Sequence, residues 1–332
     1  MTPIEISTFL QDIVSKSISN SLMIWGPPGV GKSSIVKDVA EGNNLELIDL
    51  RLSQLSPTDL RGLPGIKDEK SKWYVPEFLP SKGSGVLFLD EINMAPPAMQ
   101  GVAQQLILDR KVGNYTVPKN WFVWAAGNRK EDKAAVFEMP SALSNRFIHL
   151  DITPDWKCFN DWGLANGLSE QILAFLSFRP ALLHKTDINS PSWPSPRSWA
   201  AADKLYKAGL SVEPAVGVVG AEFDAYTSLY TTLPDFELIL NGKSKDQFPK
   251  DPSKRYAIIT GLSIRISSPK QGINSLNWLL KRAEPEWFQL MISTVFPLLR
   301  AKNIFSEFIQ YARKDKKLMQ RINEILDLIM LV

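Results

Sequence analysis

The pattern of apolar and polar positions changes character near residue 153. Before that point, short apolar runs alternate with stretches of helical periodicity. An amphipathic helix is predicted first, over residues 4–18, and further helices are predicted at 32–41 and 97–109. Strands are predicted at about 21–25, 45–52, 85–91, 121–126 and 147–152. This alternation predicts a doubly wound α/β domain with a five-stranded parallel sheet.

Beyond Pro154 only helical patterns remain. Residues 158–178 and 198–232 are predicted as helices, separated by a proline-rich connector at 190–197. A linker rich in proline and lysine begins at Leu233, and further helices follow to the end of the chain. We therefore expect an α/β domain over 1–153, a helical domain over 154–232 and a mostly helical C-terminal extension over 233–332.

Two segments interrupt the α/β alternation. Residues 53–82 are rich in proline, glycine and charge, and they contain Trp73, Tyr74 and Phe78. Such a length is unusual for a simple connection and favours a functional insertion, but a surface loop pinned by its aromatic residues fits equally well. The second segment, 110–118, has a Gly113-Asn114 turn and is predicted to form a small hairpin.

Composition excludes several classes of protein. The 332 residues are 44% apolar and 22% charged, which is ordinary for a globular protein, and a net charge of +3 does not by itself point to nucleic acid or membrane. A single cysteine, Cys158, excludes an internal disulfide, and with only His149 and His184 a Cys/His zinc site is not expected. Neither a signal peptide nor an apolar run long enough for a membrane span is recognisable, so a cytoplasmic protein is expected.

The most informative stretch lies between the first strand and the helix at 32–41. It has the form Gly, four residues, Gly-Lys-Ser, which is typical of a loop that holds phosphate groups. Glycines let the backbone N–H groups point at the phosphates, Lys32 adds a positive charge, and the Ser33 hydroxyl can bind Mg²⁺. The alternative is a Gly-Pro turn before an ordinary helix, but the flanking strand and helix favour a nucleoside triphosphate. The predicted binding residues are Gly26, Pro27, Pro28, Gly29, Val30, Gly31, Lys32, Ser33 and Ser34.

Polar residues end two other strands of the predicted sheet. The strand at 85–91 is apolar without interruption until Asp90 and Glu91, as in a central strand covered on both faces. The strand at 121–126 is followed by Gly127 and Asn128. Ligands of open parallel sheets bind beyond the carboxyl ends of the strands, so these side chains are expected beside the phosphate loop. There Asp90 could hold Mg²⁺, Glu91 could polarise a water, and Asn128 could orient that water or sense the γ-phosphate. The alternative for the acidic pair is a helix N-cap.

Together these motifs resemble AAA+ ATPases, and within them the MoxR group. The resemblance rests on the phosphate loop, Asp90-Glu91-Ile-Asn-Met-Ala, the helix with Gln104-Gln105-Leu106, the hairpin before Trp121, Ala126-Gly127-Asn128, Pro140-Ser-Ala-Leu-Ser-Asn-Arg146-Phe147 and Ser195-Pro196-Arg197. It covers about residues 20–230. It implies an AAA+ P-loop domain with a parallel five-stranded sheet, followed by a helical lid over 154–232 and the helical extension.

The resemblance also implies roles for individual residues. Lys32 and Ser33 would belong to Walker A, Asp90 and Glu91 to Walker B, and Asn128 to sensor 1. Arg146 falls at the position of an arginine finger that acts on the neighbouring subunit's nucleotide, and Arg197 falls at sensor 2. One departure is Arg129, which stands where MoxR members often have proline. It is interpreted as a second trans-acting arginine or as a salt-bridging surface residue, and Arg179 is interpreted as structural.

The implied function is Mg²⁺-dependent hydrolysis of ATP to ADP and phosphate by a ring, hexameric by resemblance, that remodels a client protein. A partner with a von Willebrand factor A domain is implied by the resemblance only. The alternative is a nucleic-acid motor or loader, supported by a basic stretch with Arg300, Lys302, Arg313, Lys314, Lys316, Lys317 and Arg321, although no DNA-binding module is recognisable. A small-molecule kinase would explain the phosphate loop but would leave the acidic pair Asp90-Glu91, Asn128 and Arg146 without a joint purpose.

Overall fold

The computed structural model describes residues 1–132, 136–139, 141–187 and 189–330. It divides into two compact units. The first contains Met1–Cys158 with Ser195–Arg197, and the second contains Phe159–Pro194 with Ser198–Val332.

The first unit contains the strands. In chain order they are β1 Leu22–Trp25, β2 Glu46–Arg51, β3 Leu63–Lys67, β4 Lys70–Tyr74, β5 Gly85–Asp90, β6 Lys111–Val112, β7 Tyr115–Thr116, β8 Trp121–Gly127 and β9 Ile148–Asp151. Five of them form a parallel sheet in the order β2-β5-β8-β1-β9, which confirms the predicted fold class. The strand order brings the carboxyl ends of β1, β5 and β8 to one edge of the sheet.

Helices cover both faces of this sheet. Those of the first unit are α1 Pro3–Ser15, α2 Lys32–Gly42, α3 Pro57–Arg61, α4 Pro97–Leu108 and α5 Ser141–Ser144. Because alternate side chains of a strand point to opposite faces, Leu87 and Leu89 of β5 pack in one apolar cluster with α4. Val86 and Phe88 pack in the other cluster with α1 and α2. All of β5 is buried, as its continuous apolarity predicts.

The insertion at 53–82 has structure of its own. It contains α3 and an antiparallel hairpin in which β3 pairs with β4, from Leu63 opposite Tyr74 to Lys67 opposite Lys70. The hairpin exposes apolar side chains, with Ile66 88% and Tyr74 50% exposed. Beyond it, Pro80 is tied back by a hydrogen bond from the Tyr115 hydroxyl to its carbonyl, 2.7 Å long. The second predicted hairpin forms from β6 and β7 around Gly113, whose φ is 55°.

The helices from residue 156 onward are α6 Trp156–Ala165, α7 Glu170–Phe178, α8 Pro196–Lys207, α9 Glu213–Val216, α10 Val219–Ser228, α11 Phe236–Leu240, α12 Pro252–Arg265, α13 Pro269–Leu280, α14 Pro285–Ala301, α15 Phe305–Ala312 and α16 Lys316–Met330. In the second unit α7 and α12 are joined by an ion pair between Glu170 and Arg265, 2.7 Å apart. None of the helices described in these ranges is long and apolar enough to cross a membrane.

Two predicted helices are wrong in extent. The helix at 158–178 is two helices, α6 and α7, because Gly167 adopts a left-handed φ of 67° between them. The helix at 198–232 is interrupted after α8 by Gly209 with φ 72° and after α9 by Gly217 with φ 63°. A periodic apolar pattern continues across such breaks when consecutive helices pack on one core, so periodicity alone did not show them.

Candidate active site

The loop from Gly26 to Lys32 has the backbone that phosphate binding requires. Gly29 and Gly31 have φ values of 79° and 104°, which a side chain would strain. Gly31 is also the N-cap of α2, and among the described residues no side chain caps that helix end. The first N–H groups of α2 and its positive dipole end are therefore available to an anion.

Lys32 is buried in the loop that it belongs to. Its ammonium is held by the carbonyls of Gly26 and Pro27, at 2.6 and 3.2 Å, and by the Asn128 side-chain oxygen at 2.9 Å. Burial lowers the pKa of Lys32 to about 8, and the charge of Asp90 opposes part of this effect. A buried cation whose hydrogen-bond partners are neutral favours the approach of an anion.

Ser33 and Asp90 meet at the edge of the sheet. The Ser33 hydroxyl donates to Asp90 Oδ2 at 2.7 Å, and Asp90 Oδ1 accepts the N–H of Glu91 at 2.8 Å. Hydroxyl and carboxylate oxygens are ligands that Mg²⁺ prefers, so the pair fits that ion. Glu91 stands at the N-cap position of a short 3₁₀ helix, Ile92–Met94, but its side chain makes no capping hydrogen bond there, and α4 begins only at Pro97.

Glu91 lies in a strained conformation. Its φ of 56° is in the left-handed region, which is uncommon for a residue with a side chain and occurs often at functional sites. Its carboxylate accepts a hydrogen bond from the Ser53 hydroxyl. Ser53 was not among the site residues predicted from the sequence. Its position soon after β2, the strand that pairs with β5, was the available signal.

Asn128 is fixed from three sides. Its side-chain oxygen accepts from Lys32, and its backbone N–H and carbonyl bind the side chain of Asn93 at 3.2 and 2.7 Å. A Cβ on Gly127 would come within 2.5 Å of Asn93 Oδ1, so this close approach requires glycine. Asn93 is almost fully buried, and its place in the Asp90-Glu91-Ile-Asn-Met-Ala motif did not by itself predict this contact.

Residues 195–197 belong to the same unit as the phosphate loop. The Arg197 N–H donates to the Gly29 carbonyl at 3.2 Å, and a Cβ on Gly29 would lie 2.8 Å from the Ser195 hydroxyl. The exposed Arg197 side chain is close enough for its charge to lower the pKa of Lys32. The structure therefore brings Lys32, Ser33, Asp90, Asn128 and Arg197 together.

Arg146 occupies a different position. It is exposed in the turn between α5 and β9, and within the described ranges no hydrogen bond or ion pair engages its guanidinium. Pro140, the first residue of its motif, lies outside the described residues.

The other two arginines considered from the sequence, Arg129 and Arg179, both form ion pairs with acidic side chains. Arg129 binds Asp132 through its backbone N–H and its guanidinium, at 3.1 to 3.2 Å, and lies 3.3 Å from Glu131. These contacts agree with its interpretation as a salt-bridging residue. Arg179 forms an ion pair of 2.8 Å with Glu222 in the second unit, which agrees with a structural role.

A cleft of about 590 Å³ opens beside Asn128. Its lining includes the ends of β1 and β9, through Trp25, His149 and Asp151, and the segment from Val136 to Met139. The backbone N–H of Phe137 donates to the Asn93 carbonyl at 2.7 Å, which joins this segment to the residue that holds Asn128.

A glycine-rich loop between β1 and α2, with an acidic residue at the end of β5, two strands from β1 in the sheet, is typical of a P-loop nucleotide-binding fold. The comparison with protein families is more specific, since residues 21–147 match the AAA domain of the dynein-related subfamily. Residues 21–147 are therefore similar to an AAA domain of the AAA+ ATPase class.

Similarity to solved structures is weaker. A RuvB mutant from Thermotoga maritima matches with 17% identity and a TM-score of 0.41 over 71% of this chain and 72% of that chain. NtrX from Brucella abortus in complex with ADP matches with 14% identity and a TM-score of 0.42 over 95% of this chain and 68% of that chain. Similarity at this level carries no conclusion about ligands, clients or assembly.

Proposed function

We propose that this protein is a Mg²⁺-dependent ATP hydrolase of the MoxR kind, which forms a ring and remodels a partner protein. The observation that carries the proposal is the separation of two sets of residues in one domain. Around the phosphate loop, Lys32 is hydrogen-bonded to Asn128 and Ser33 is hydrogen-bonded to Asp90. Arg146, by contrast, is exposed on another turn without a partner among the described residues.

In this proposal each residue at the loop has a separate part. Lys32 exchanges its carbonyl partners for phosphate oxygens when the triphosphate enters. Asn128 lies within hydrogen-bond distance of the Lys32 ammonium, so it is placed to contact the γ-phosphate or the attacking water. Glu91, once released from the Ser53 hydroxyl, accepts the proton of that water.

The pair formed by Ser33 and Asp90 would hold Mg²⁺, directly or through water. The bound ion would neutralise charge on the phosphate oxygens.

The position of Arg146 is the reason that we propose a ring. Phosphoryl transfer develops charge on the γ-phosphoryl oxygens, and an arginine placed there can be worth ~10³–10⁵ in rate. Since Arg146 does not engage the loop of its own chain, we assign it to the nucleotide of a neighbouring subunit. Hydrolysis then depends on assembly, and a six-membered ring follows from the resemblance to AAA+ proteins.

We propose that the client protein binds to the hairpin of β3 and β4. Leu63, Ile66, Trp73 and Tyr74 are exposed on it, and scattered lysines flank them, as suits a transient contact with another protein. A protein with a von Willebrand factor A domain is the partner that the MoxR resemblance favours.

A nucleic-acid substrate is less well supported. Several residues of the basic C-terminal stretch are already engaged within the second unit. Lys302 donates to the carbonyls of Ile264 and Ile266, and Arg321 pairs with Glu324 at 2.7 Å. We therefore expect DNA and RNA to change the ATPase rate little at physiological salt. A strong stimulation that fades with added salt would favour the alternative.

The test of the proposal mixes two inactive proteins. Arg146→Ala keeps an intact pocket, and Lys32→Ala keeps an intact finger. If the finger acts in trans, mixed rings recover part of the ATPase activity, with a maximum at intermediate mixing ratios, and sedimentation confirms that the subunits exchange. Mixed rings that stay inactive at every ratio, or a fully active monomer, would contradict the trans arrangement.

A further inference from the structure

The turn that presents Arg146 is held by His149, which lines the cleft beside Asn128 but is not hydrogen-bonded to the residues around the phosphate loop. The His149 Nε2 lies 2.7 Å from the Ser144 carbonyl, and the Trp25 indole Nε1 lies 2.7 Å from His149 Nδ1. Ser144 begins the turn, Arg146 is its exposed member, and His149 stands on β9, which the turn enters.

The chemistry of the partners fixes the state of the imidazole. An indole N–H can only donate, so Nδ1 of His149 must accept and carry no proton. A carbonyl can only accept, so Nε2 must carry the proton that is donated to Ser144. Trp25 thus selects the single neutral tautomer that binds the turn.

Ring contacts hold the same arrangement. The Trp25 and His149 rings are nearly parallel, at 8°, with centroids 6.0 Å apart. The Phe147 ring meets His149 edge-on at 6.2 Å, and the Phe147 N–H also donates to the Ser144 carbonyl, at 3.2 Å. The residues on either side of Arg146 are therefore held, while its own side chain stays exposed.

We propose that His149 is a positioning residue for Arg146, held in the required tautomer by Trp25. Because Trp25 directly precedes Gly26, the arrangement also joins the base of the phosphate loop to the turn that serves the neighbouring subunit. This inference rests on the proposed trans role of Arg146. Its test must therefore separate a misplaced finger from a damaged pocket.

The mixing experiment makes that separation. His149→Phe keeps a ring of similar size but removes the donor to Ser144. Placed in the Lys32→Ala subunit, which contributes only the finger, it is expected to lower the recovered ATPase rate roughly three- to tenfold, as the loss of one ordering hydrogen bond would. Placed in the Arg146→Ala subunit, which contributes only the pocket, it is expected to leave the recovered rate within about twofold, since no donor to the pocket is removed.

Two variants complete the design. His149→Gln can still donate to the Ser144 carbonyl and should restore most of the rate when it replaces His149→Phe in the finger subunit. Ile148→Ala, at an exposed neighbour on β9, is the matched control and should have no effect in either subunit. Thermal unfolding of each protein confirms that it is folded, and if His149→Phe fails to fold, Trp25→Phe in the finger subunit replaces it with the same expected direction.

The outcomes are distinct. If the mixture of Arg146→Ala and Lys32→Ala recovers no activity, the trans role of Arg146 is wrong, and the role of His149 is wrong with it. A second outcome is an active mixture of Arg146→Ala and Lys32→Ala in which His149→Phe lowers the rate equally in both subunits, or changes it in neither. In that case the trans role of Arg146 stands and the positioning role of His149 is overturned. A loss confined to the finger subunit and reversed by glutamine supports the proposal.

Discussion

The phosphate loop and the hairpin of β3 and β4 lie in the same domain but differ in which side chains they bury and which they expose. At the loop, Lys32 is hydrogen-bonded to Asn128 and Ser33 to Asp90, and Lys32 is only 9% exposed. On the hairpin, large apolar side chains face solvent, and Ile66 is 88% exposed.

The difference indicates two kinds of ligand. A small anion needs donors that are already oriented, because binding energy is otherwise lost in ordering them. A protein client is recognised through surface that can be buried on contact, and exposed apolar residues supply that surface. Under the proposed function, one domain would therefore combine a preorganised site for the nucleotide with an exposed surface for the client.

The largest effect is expected from Glu91→Gln. The amide keeps the size of the side chain but cannot accept a proton from water, so turnover should fall about 10²–10⁴-fold. ATP binding, measured with a fluorescent analogue, should change little. Glu69→Gln on the hairpin is the matched control and should keep the normal rate. A Glu91→Gln protein that hydrolyses ATP normally would contradict the assigned role.

The two regions should also differ in their contribution to stability. Phe88 is fully buried in β5, and Phe88→Ala should lower the free energy of unfolding by about 3–5 kcal/mol. Ile66→Ala on the hairpin should change it by less than about 0.5 kcal/mol. Denaturant midpoints measured on both proteins test the contrast. A large loss from Ile66→Ala would place that residue in a contact essential for folding.

The affinity for ATP should depend on pH through Lys32. Burial lowers the pKa of its ammonium to about 8 in the free protein, and bound phosphate favours the charged form. Below pH 8 the charge is already present, so affinity should be nearly constant. Above it, binding must take up a proton, and the affinity should fall by up to about tenfold per pH unit.

Titration of ATP by calorimetry between pH 7 and 9.5 checks this expectation. Lys32→Ala should bind weakly and without this dependence, whereas Lys70→Ala on the hairpin should behave as the unmodified protein does. An affinity that stays constant up to pH 9.5 would show that Lys32 does not titrate in this range.

The smallest effect on hydrolysis is expected from removal of the hairpin. Deleting residues 66–74 should leave basal ATPase activity within about twofold, because none of these residues is hydrogen-bonded to Lys32 or to Asn128. Remodelling of the client should be lost. If the deletion instead abolishes folding, Trp73 and Tyr74 belong to the core, and the contrast between the two regions is wrong.

Much of the α/β domain was predictable because its signals are local. The run at 85–91 could hardly be anything other than a buried strand, and the Gly-Lys-Ser loop restricts its own backbone through glycine. The helices beyond residue 158 were predicted less well. Their boundaries depend on single glycines such as Gly167 and Gly209, which interrupt the chain without interrupting the apolar pattern.

The sequence by itself determined the α/β order, the phosphate loop and the identity of the polar residues that end β5 and β8, since each depends on neighbours in the chain. Only the tertiary structure decided which distant groups meet them. Ser53 reaches Glu91 because β2 pairs with β5, and Asn93 reaches Asn128 because β5 pairs with β8. His149 reaches Trp25 because β9 pairs with β1. Parallel neighbours in this sheet are far apart in the chain, so the pattern within one strand does not show which other strand will lie beside it.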